Sequence, residues 1–140
     1  MNDTLADRLR IFLVEDTADL REEIVFGLSA MNFDVSGFGD SAGLYRALAV
    51  KRCDIVVIDI GLPGEDGFSI ARHLRKNPAF GLVFLTAHTT LDDRLHGFGS
   101  GADAYLVKPI DMRELAATLR VVERRLRPTV QTTASTPAVP

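Results

Sequence analysis

The feature that most constrains this chain is a repeated change of hydrophobic period, in which short unbroken apolar runs alternate with longer segments whose apolar positions recur every three or four residues. Ile11 to Val14, Ile55 to Ile58, Leu82 to Leu85 and Ala104 to Val107 are runs of the first kind, and Phe33 to Phe38 is a weaker one. A strand with one wet face alternates apolar and polar residues. These runs do not, so both faces must be covered, as in a parallel sheet. Between them, Leu20, Ile24, Leu28 and Met31 form one helical stripe behind a possible Thr17 cap. Leu115, Leu119, Val122 and Leu126 form another, behind Asp111 and Glu114 at capping-box spacing. Leu44 and Leu48, Ile70 and Leu74, and Leu91, Leu95 and Phe98 indicate three shorter helices.

The order βαβαβαβαβα predicts one doubly wound α/β domain, a (βα)5 unit with a five-stranded parallel sheet, helices on both faces and right-handed crossovers. The domain is expected over residues 10–127, after an N-terminal extension at 1–9. Residues 128–140, with Pro128, Pro137 and Pro140 among Thr, Ser, Ala and Val, read as a flexible tail or linker. With 140 residues, 46% hydrophobic and 25% charged, the chain can bury a core unaided. Cys53 is the only cysteine, which excludes an intrachain disulfide and a Cys-rich zinc site and suits a reducing cytoplasm. No stretch approaches the roughly 20 apolar residues of a bilayer span. The net charge of −3 gives this domain no reason to bind nucleic acid or an anionic membrane.

Ligands of such sheets bind beyond the carboxyl ends of the strands. There the sequence puts Glu15 and Asp16 after the first strand, Asp59 after the third, Thr86 after the fourth and Lys108 after the fifth. If the first and third strands are neighbours, three carboxylates converge and repel, and a hard divalent cation is the natural compensation, with Mg²⁺ preferred by an all-oxygen ligand set. Asp59 can then act as a nucleophile toward a phosphoryl group whose charge the metal and Lys108 neutralise. The Thr86 hydroxyl can hydrogen-bond a phosphoryl oxygen and draw its loop toward the new charge.

These residues resemble the receiver domain of two-component response regulators, and the resemblance runs from Arg10 to about Arg127. It rests on Ile11-Phe12-Leu13-Val14-Glu15-Asp16, on Val56-Val57-Ile58-Asp59-Ile60-Gly61-Leu62-Pro63-Gly64, on Leu85-Thr86-Ala87, and on Gly101-Ala102-Asp103-Ala104-Tyr105-Leu106-Val107-Lys108-Pro109. The resemblance implies that Asp59 accepts phosphate from a sensor histidine kinase or phosphotransfer protein. It implies that Asp16, Asp59 and the Gly61 carbonyl bind Mg²⁺ while Glu15 acts through water. It further implies a Thr86 and Tyr105 switch pair and a cis bond before Pro109. Glu15 stands where an aspartate is commoner, and Gly61 offers only its backbone. The segment Asp92, Asp93, Arg94 and Gly97, followed by Gly101-Ala102-Asp103, resembles receivers of winged-helix transcription regulators that form homodimers through the fourth helix, fifth strand and fifth helix.

Simpler readings compete with these. Glu15 and Asp16 can cap the following helix, Lys108 can be a solvated lysine, and Thr86 and Tyr105 can be ordinary strand residues. His73, His88 and His96 lack metal-ligand spacing and read as surface histidines. Arg120, Arg124, Arg125 and Arg127 suit the end of the last helix, by complementing its dipole or by meeting a partner. A phosphohydrolase of the haloacid-dehalogenase type would need Asp-x-Asp, and Asp59-Ile60-Gly61 lacks the second acid. A nucleotide-binding module would need a glycine-rich cradle at the first strand, where Glu15 and Asp16 stand instead.

Overall fold

The computed structural model describes residues 8–87 and 91–126. Five strands, β1 (Arg10–Val14), β2 (Asp34–Phe38), β3 (Ile55–Ile58), β4 (Gly81–Thr86) and β5 (Ala104–Val107), alternate with helices α1 (Ala18–Ala30), α2 (Ser41–Leu48), α3 (Gly67–Leu74), α4 (Leu91–Gly99) and α5 (Met112–Leu126). All strand pairs are parallel, in the order β2-β1-β3-β4-β5, so the sheet is the doubly wound α/β arrangement that the alternation demands. The expected tail at 128–140 lies outside the described residues, as does His88.

Two apolar layers sandwich the sheet. On one face Ile11, Leu13, Ile55, Val57, Val83 and Leu85 pack against Ile24 and Leu28 of α1 and against Leu115, Leu119 and Val122 of α5. On the other, Phe12, Val14, Val56, Ile58, Leu82 and Phe84 meet Leu44 of α2 and Phe68, Ile70, Ala71 and Leu74 of α3. Alternate residues of one strand thus serve opposite layers, which is why the central runs are apolar throughout. β2 reads weakly in the sequence because it is an outer strand: all five of its residues, Asp34 to Phe38, are only half-buried.

Two helix positions depart from expectation. Met31 caps the C-terminus of α1 and is exposed, and Leu95 on α4 is 59% exposed. In α4 it is instead the next residue, His96, whose ring stacks on Phe68, with centroids 3.9 Å apart and planes 15° from parallel. The caps also differ. Thr17 is the N-cap of α1 but makes no side-chain cap bond, whereas Asp111 caps α5 as expected, accepting from the Arg113 N–H at 2.9 Å. Asp40 and Asp66 also cap, accepting from the backbone N–H of Gly43 at 2.9 Å and of Ser69 at 2.8 Å.

Two of the late arginines, Arg120 and Arg125, have partners within the chain, and Arg127 lies outside the described residues. Arg120 lies over the Phe33 ring at 4.2 Å and pairs with Glu123 at 3.2 Å. Arg125 donates to Asp103 through Nε at 2.7 Å and through Nη2 at 3.0 Å. Asp103 also accepts from the Leu82 N–H at 2.9 Å, which ties the end of α5 to the start of β4 and β5.

Cys53 donates weakly to the carbonyl of Ile55, with Sγ at 3.3 Å. Burial pushes its thiol from an ordinary value of 9.0 up to about 12. Three units less acidity cuts the thiolate at neutral pH by roughly a thousandfold. Reaction with an aromatic disulfide reagent at pH 7.5 is therefore expected to be slower in the native protein than in urea by at least that factor, read from the released chromophore. Equal rates would show that the thiol is open.

Candidate functional site: an acidic rim closed by a lysine

β1 and β3 are adjacent, with Val14 beside Ile58, so the residues that follow them emerge side by side at one edge. Glu15, Asp16 and Asp59 each offer a carboxylate oxygen, and these oxygens all lie within 4.8 Å of one another. Glu15 is 1% exposed and Asp59 8% exposed, whereas Asp16 is open to solvent. The site is thus a half-covered acidic notch, reachable from outside on the Asp16 side.

Lys108 crosses from the end of β5 to close this notch. Its Nζ donates to Glu15 Oε1 at 2.8 Å and to Asp59 Oδ2 at 3.0 Å. The lysine is anchored by its own backbone, whose N–H donates to the Thr86 carbonyl at 2.9 Å, and the following bond to Pro109 is cis. Desolvation works against the ammonium, but the hydrogen bonds from Lys108 to both carboxylates and their attraction outweigh it and raise its pKa above the ordinary 10.5. The simple reading of Lys108 as a solvated surface lysine is excluded by these contacts.

The other carboxylate oxygens are held by backbone. Glu15 Oε2 accepts from the Thr17 N–H at 3.1 Å, so Glu15 does help start α1, as a helix-capping acid would. Asp59 Oδ1 accepts from the Gly61 N–H at 3.1 Å. Thr86 is fully buried at the end of β4, next to β3, and Tyr105 sits beside Phe84 in register, with ring centroids 6.0 Å apart. Every residue singled out at the strand ends therefore stands at this edge, with Tyr105 one strand further out.

Two residues of the surround, Arg21 and Glu65, were not foreseen. Arg21 of α1 donates from Nη1 to the Glu15 carbonyl at 2.7 Å. Its stem crosses β2 where Gly37 leaves room, since a Cβ there would meet Arg21 Cγ at 2.9 Å. Glu65, in the loop after Asp59, accepts from Ser69 Oγ at 2.7 Å and from the Tyr45 hydroxyl at 3.1 Å. Burial opposes the Glu65 carboxylate, but the bonds from Ser69, Tyr45 and Ser41 together lower its pKa. The same bond, added to desolvation, raises Tyr45 to about 12. A charged residue immediately before a capping aspartate gives no sequence signal for a contact twenty residues away.

Gly67 also proves essential to this edge. A Cβ there would stand 2.7 Å from both the Asp59 carbonyl oxygen and Ile60 Cα, which are backbone atoms with no freedom to move aside. Gly67→Ala should therefore push the loop beyond Asp59 outward, at a cost of about 1–3 kcal/mol. Thermal unfolding followed by circular dichroism should show a clear fall in midpoint, and an unchanged midpoint would mean that the loop has slack.

Three carboxylates carry three negative charges and Lys108 returns one, so the notch attracts a further cation. Across an octahedral Mg²⁺ with oxygens at about 2.1 Å, opposite ligand oxygens stand about 4.2 Å apart. The observed 4.8 Å limit is within a small rotation of that spacing. The donor set therefore fits a hard divalent ion.

The acid cluster and the lysine thus stand at the carboxyl edge of a doubly wound sheet, where one-domain α/β proteins of this class bind their ligands. The sequence profile of the response regulator receiver domain matches residues 11–120, and the chain belongs to that family. It is 38% identical over 118 residues to the DNA-binding response regulator MtrA of Mycobacterium tuberculosis (strain ATCC 25618 / H37Rv), covering 84% of this chain and 52% of that protein. It is 34% identical over 122 residues to the transcriptional regulatory protein RprY of Bacteroides fragilis (strain YCH46), covering 86% of this chain and 52% of that protein. The chain thus spans about half the length of these relatives. Among solved structures, the response regulator DrrB of Thermotoga maritima, described as an OmpR/PhoB homolog, aligns with a TM-score of 0.76 at 26% identity, over 84% of this chain and 54% of that one. The signal receiver domain of an HD domain-containing protein from Pseudomonas fluorescens Pf-5 shares the fold, with a TM-score of 0.81 at 24% identity over 86% of this chain and 98% of that one. Among the described residues, no helix is long and apolar enough to cross a membrane.

Proposed function

We propose that this domain is a phosphorylation switch in which Asp59 takes a phosphoryl group from the phosphohistidine of a sensor kinase or phosphotransfer protein. A carboxylate oxygen of Asp59 bonds to phosphorus as the phosphorus–nitrogen bond breaks, and the electron pair leaves with the imidazole, which is then protonated. The observation that carries this reading is Lys108 Nζ placed between Glu15 and Asp59, at 2.8 and 3.0 Å, where it can follow the charge from carboxylate to phosphoryl oxygen.

Asp16, Asp59 and the Gly61 carbonyl are assigned to hold Mg²⁺, with Glu15 acting through water. The ion, when bound, neutralises charge on the transferring oxygens. Thr86 is assigned to receive a phosphoryl oxygen by hydrogen bond, and Tyr105 to turn inward as Thr86 moves. The surface that reports the change is α4, β5 and α5, through which two copies are proposed to pair. The MtrA and RprY likeness supports placing this domain as the regulatory half of a cytoplasmic transcription regulator whose DNA contacts belong to another domain.

The test is incubation with acetyl phosphate and Mg²⁺ followed by intact mass. A single phosphoryl adduct is expected, lost on omitting Mg²⁺ and accompanied by a dimer on size exclusion. Sustained hydrolysis of a generic phosphomonoester without an adduct would make the protein an enzyme of another kind.

A further inference from the structure

The opposite, N-terminal end of the sheet holds a cavity of about 340 Å³ lined by Arg10, Phe12, Asp34, Ser36, Lys51 and Arg52. Arg10 pairs with Asp34 and Phe12 with Ser36 in the register of β1 and β2, so these four side chains share one face. That face is the one on which α2 packs through Leu44. The eight residues of α2 end at Leu48, about 12 Å of helix at 1.5 Å per residue, too short to cover the lower part of the two strands. The turn that follows brings Lys51 and Arg52 over the gap instead.

The charge here runs against the rest of the molecule. In a chain of net charge −3, three cations line one cavity with a single carboxylate, Asp34, and among the described residues none of the three forms an ion pair. Lys51 is accounted for in part by the α2 C-terminus, whose dipole favours a cation. That explanation does not reach Arg10, which comes from the first residue of β1. Nearby, Asp54 spends its Oδ2 on the Arg10 backbone N–H at 2.8 Å.

We propose that this cavity is a binding site for a small phosphate monoester of nucleotide size. The phosphate is taken by Arg10, Lys51 and Arg52, since guanidinium groups match phosphate oxygens in bidentate fashion. Asp34 repels a second phosphate and accepts from a hydroxyl or amino group of the ligand body, while Ser36 supplies a neutral donor. The volume lies within the range of small-molecule pockets and far exceeds a bare ion. Phe12 is 3% exposed and forms the floor, so it offers no stacking platform. This site is independent of the chemistry at Asp59.

The test uses the full chain, labelled with ¹⁵N and stripped of divalent ions on a chelating resin, titrated with AMP and followed by amide shifts. Saturable shifts are expected at Arg10, Phe12, Asp34, Ser36, Lys51 and Arg52, weaker ones with inorganic phosphate and none with adenosine. Arg10→Gln and Arg52→Gln should each weaken AMP binding roughly tenfold, the value of one charge-assisted hydrogen bond. Arg52 lies on an exposed loop, so its variant retains the fold and keeps the test decisive if Arg10→Gln does not. The proposal is overturned by the absence of saturable shifts, by shifts gathered around Glu15, Asp59 and Lys108, by equal response to adenosine, or by unchanged affinity in Arg52→Gln.

Discussion

Asp59→Asn protein treated with acetyl phosphate and Mg²⁺ will carry no phosphoryl adduct by intact mass, while the unaltered chain carries one. The expected effect is complete because the substitution removes the nucleophile and leaves its surroundings in place. The amide oxygen can still accept from the Gly61 N–H, and Lys108 keeps its 2.8 Å bond to Glu15. Asn is nearly isosteric, so the loop that Gly67 holds against the Asp59 backbone is not disturbed. Only the anionic oxygen is gone, and with it the capacity to form an acyl phosphate. An adduct that survived in the variant would move the acceptor to Asp16, the exposed member of the cluster, and would overturn the assignment of roles at this edge.

Lys108→Met should be the most damaging change that leaves the acids intact. Glu15 is 1% exposed and would face Asp59 with only the Thr17 N–H for company. Breaking a fully buried ion pair costs about 3–5 kcal/mol; since the Lys108 side chain keeps 20% of its surface, the loss here is about 2 kcal/mol. For a domain of this size that is roughly 8 °C in the unfolding midpoint. Added Mg²⁺ should restore part of it by replacing the missing cation. The pH dependence follows from the raised pKa of Lys108: its contribution is fully present below the ordinary 10.5 and is lost as pH rises through the higher folded value. The gap between the two proteins should therefore be constant from neutral pH to about 10 and close only above 10.5. A midpoint for Lys108→Met equal to that of the unaltered chain at pH 7 would mean that the carboxylates do not need the ammonium.

Much of the architecture was legible because it rests on local pattern. The unbroken apolar runs at 55–58 and 82–85 require cover on both sides, and that requirement alone implies a parallel sheet between helices. The helical stripe of Leu115, Leu119 and Val122 likewise anticipates which face of α5 is buried. Pattern failed where a neighbour, and not the chain's own period, decides burial. Leu95 looks like a core residue by spacing, yet it faces solvent while His96 lies on Phe68. Thr17 stands at the N-cap of α1 as its position suggests, but its side chain makes no cap bond, and the Thr17 N–H is instead held by Glu15.

The sequence by itself determined the strand ends on which Glu15, Asp16, Asp59, Thr86 and Lys108 stand, because apolar runs stop where polar chemistry begins. Only the tertiary structure decided that Lys108 bridges Glu15 and Asp59, that Arg21 grips the Glu15 carbonyl across Gly37, and that Glu65 reaches Tyr45. It likewise decided that Arg10, Lys51 and Arg52 line one cavity. The physical reason is the same in each case: hydrophobic periodicity is a property of neighbours along the chain, whereas a charge finds its partner through strand order and side-chain reach.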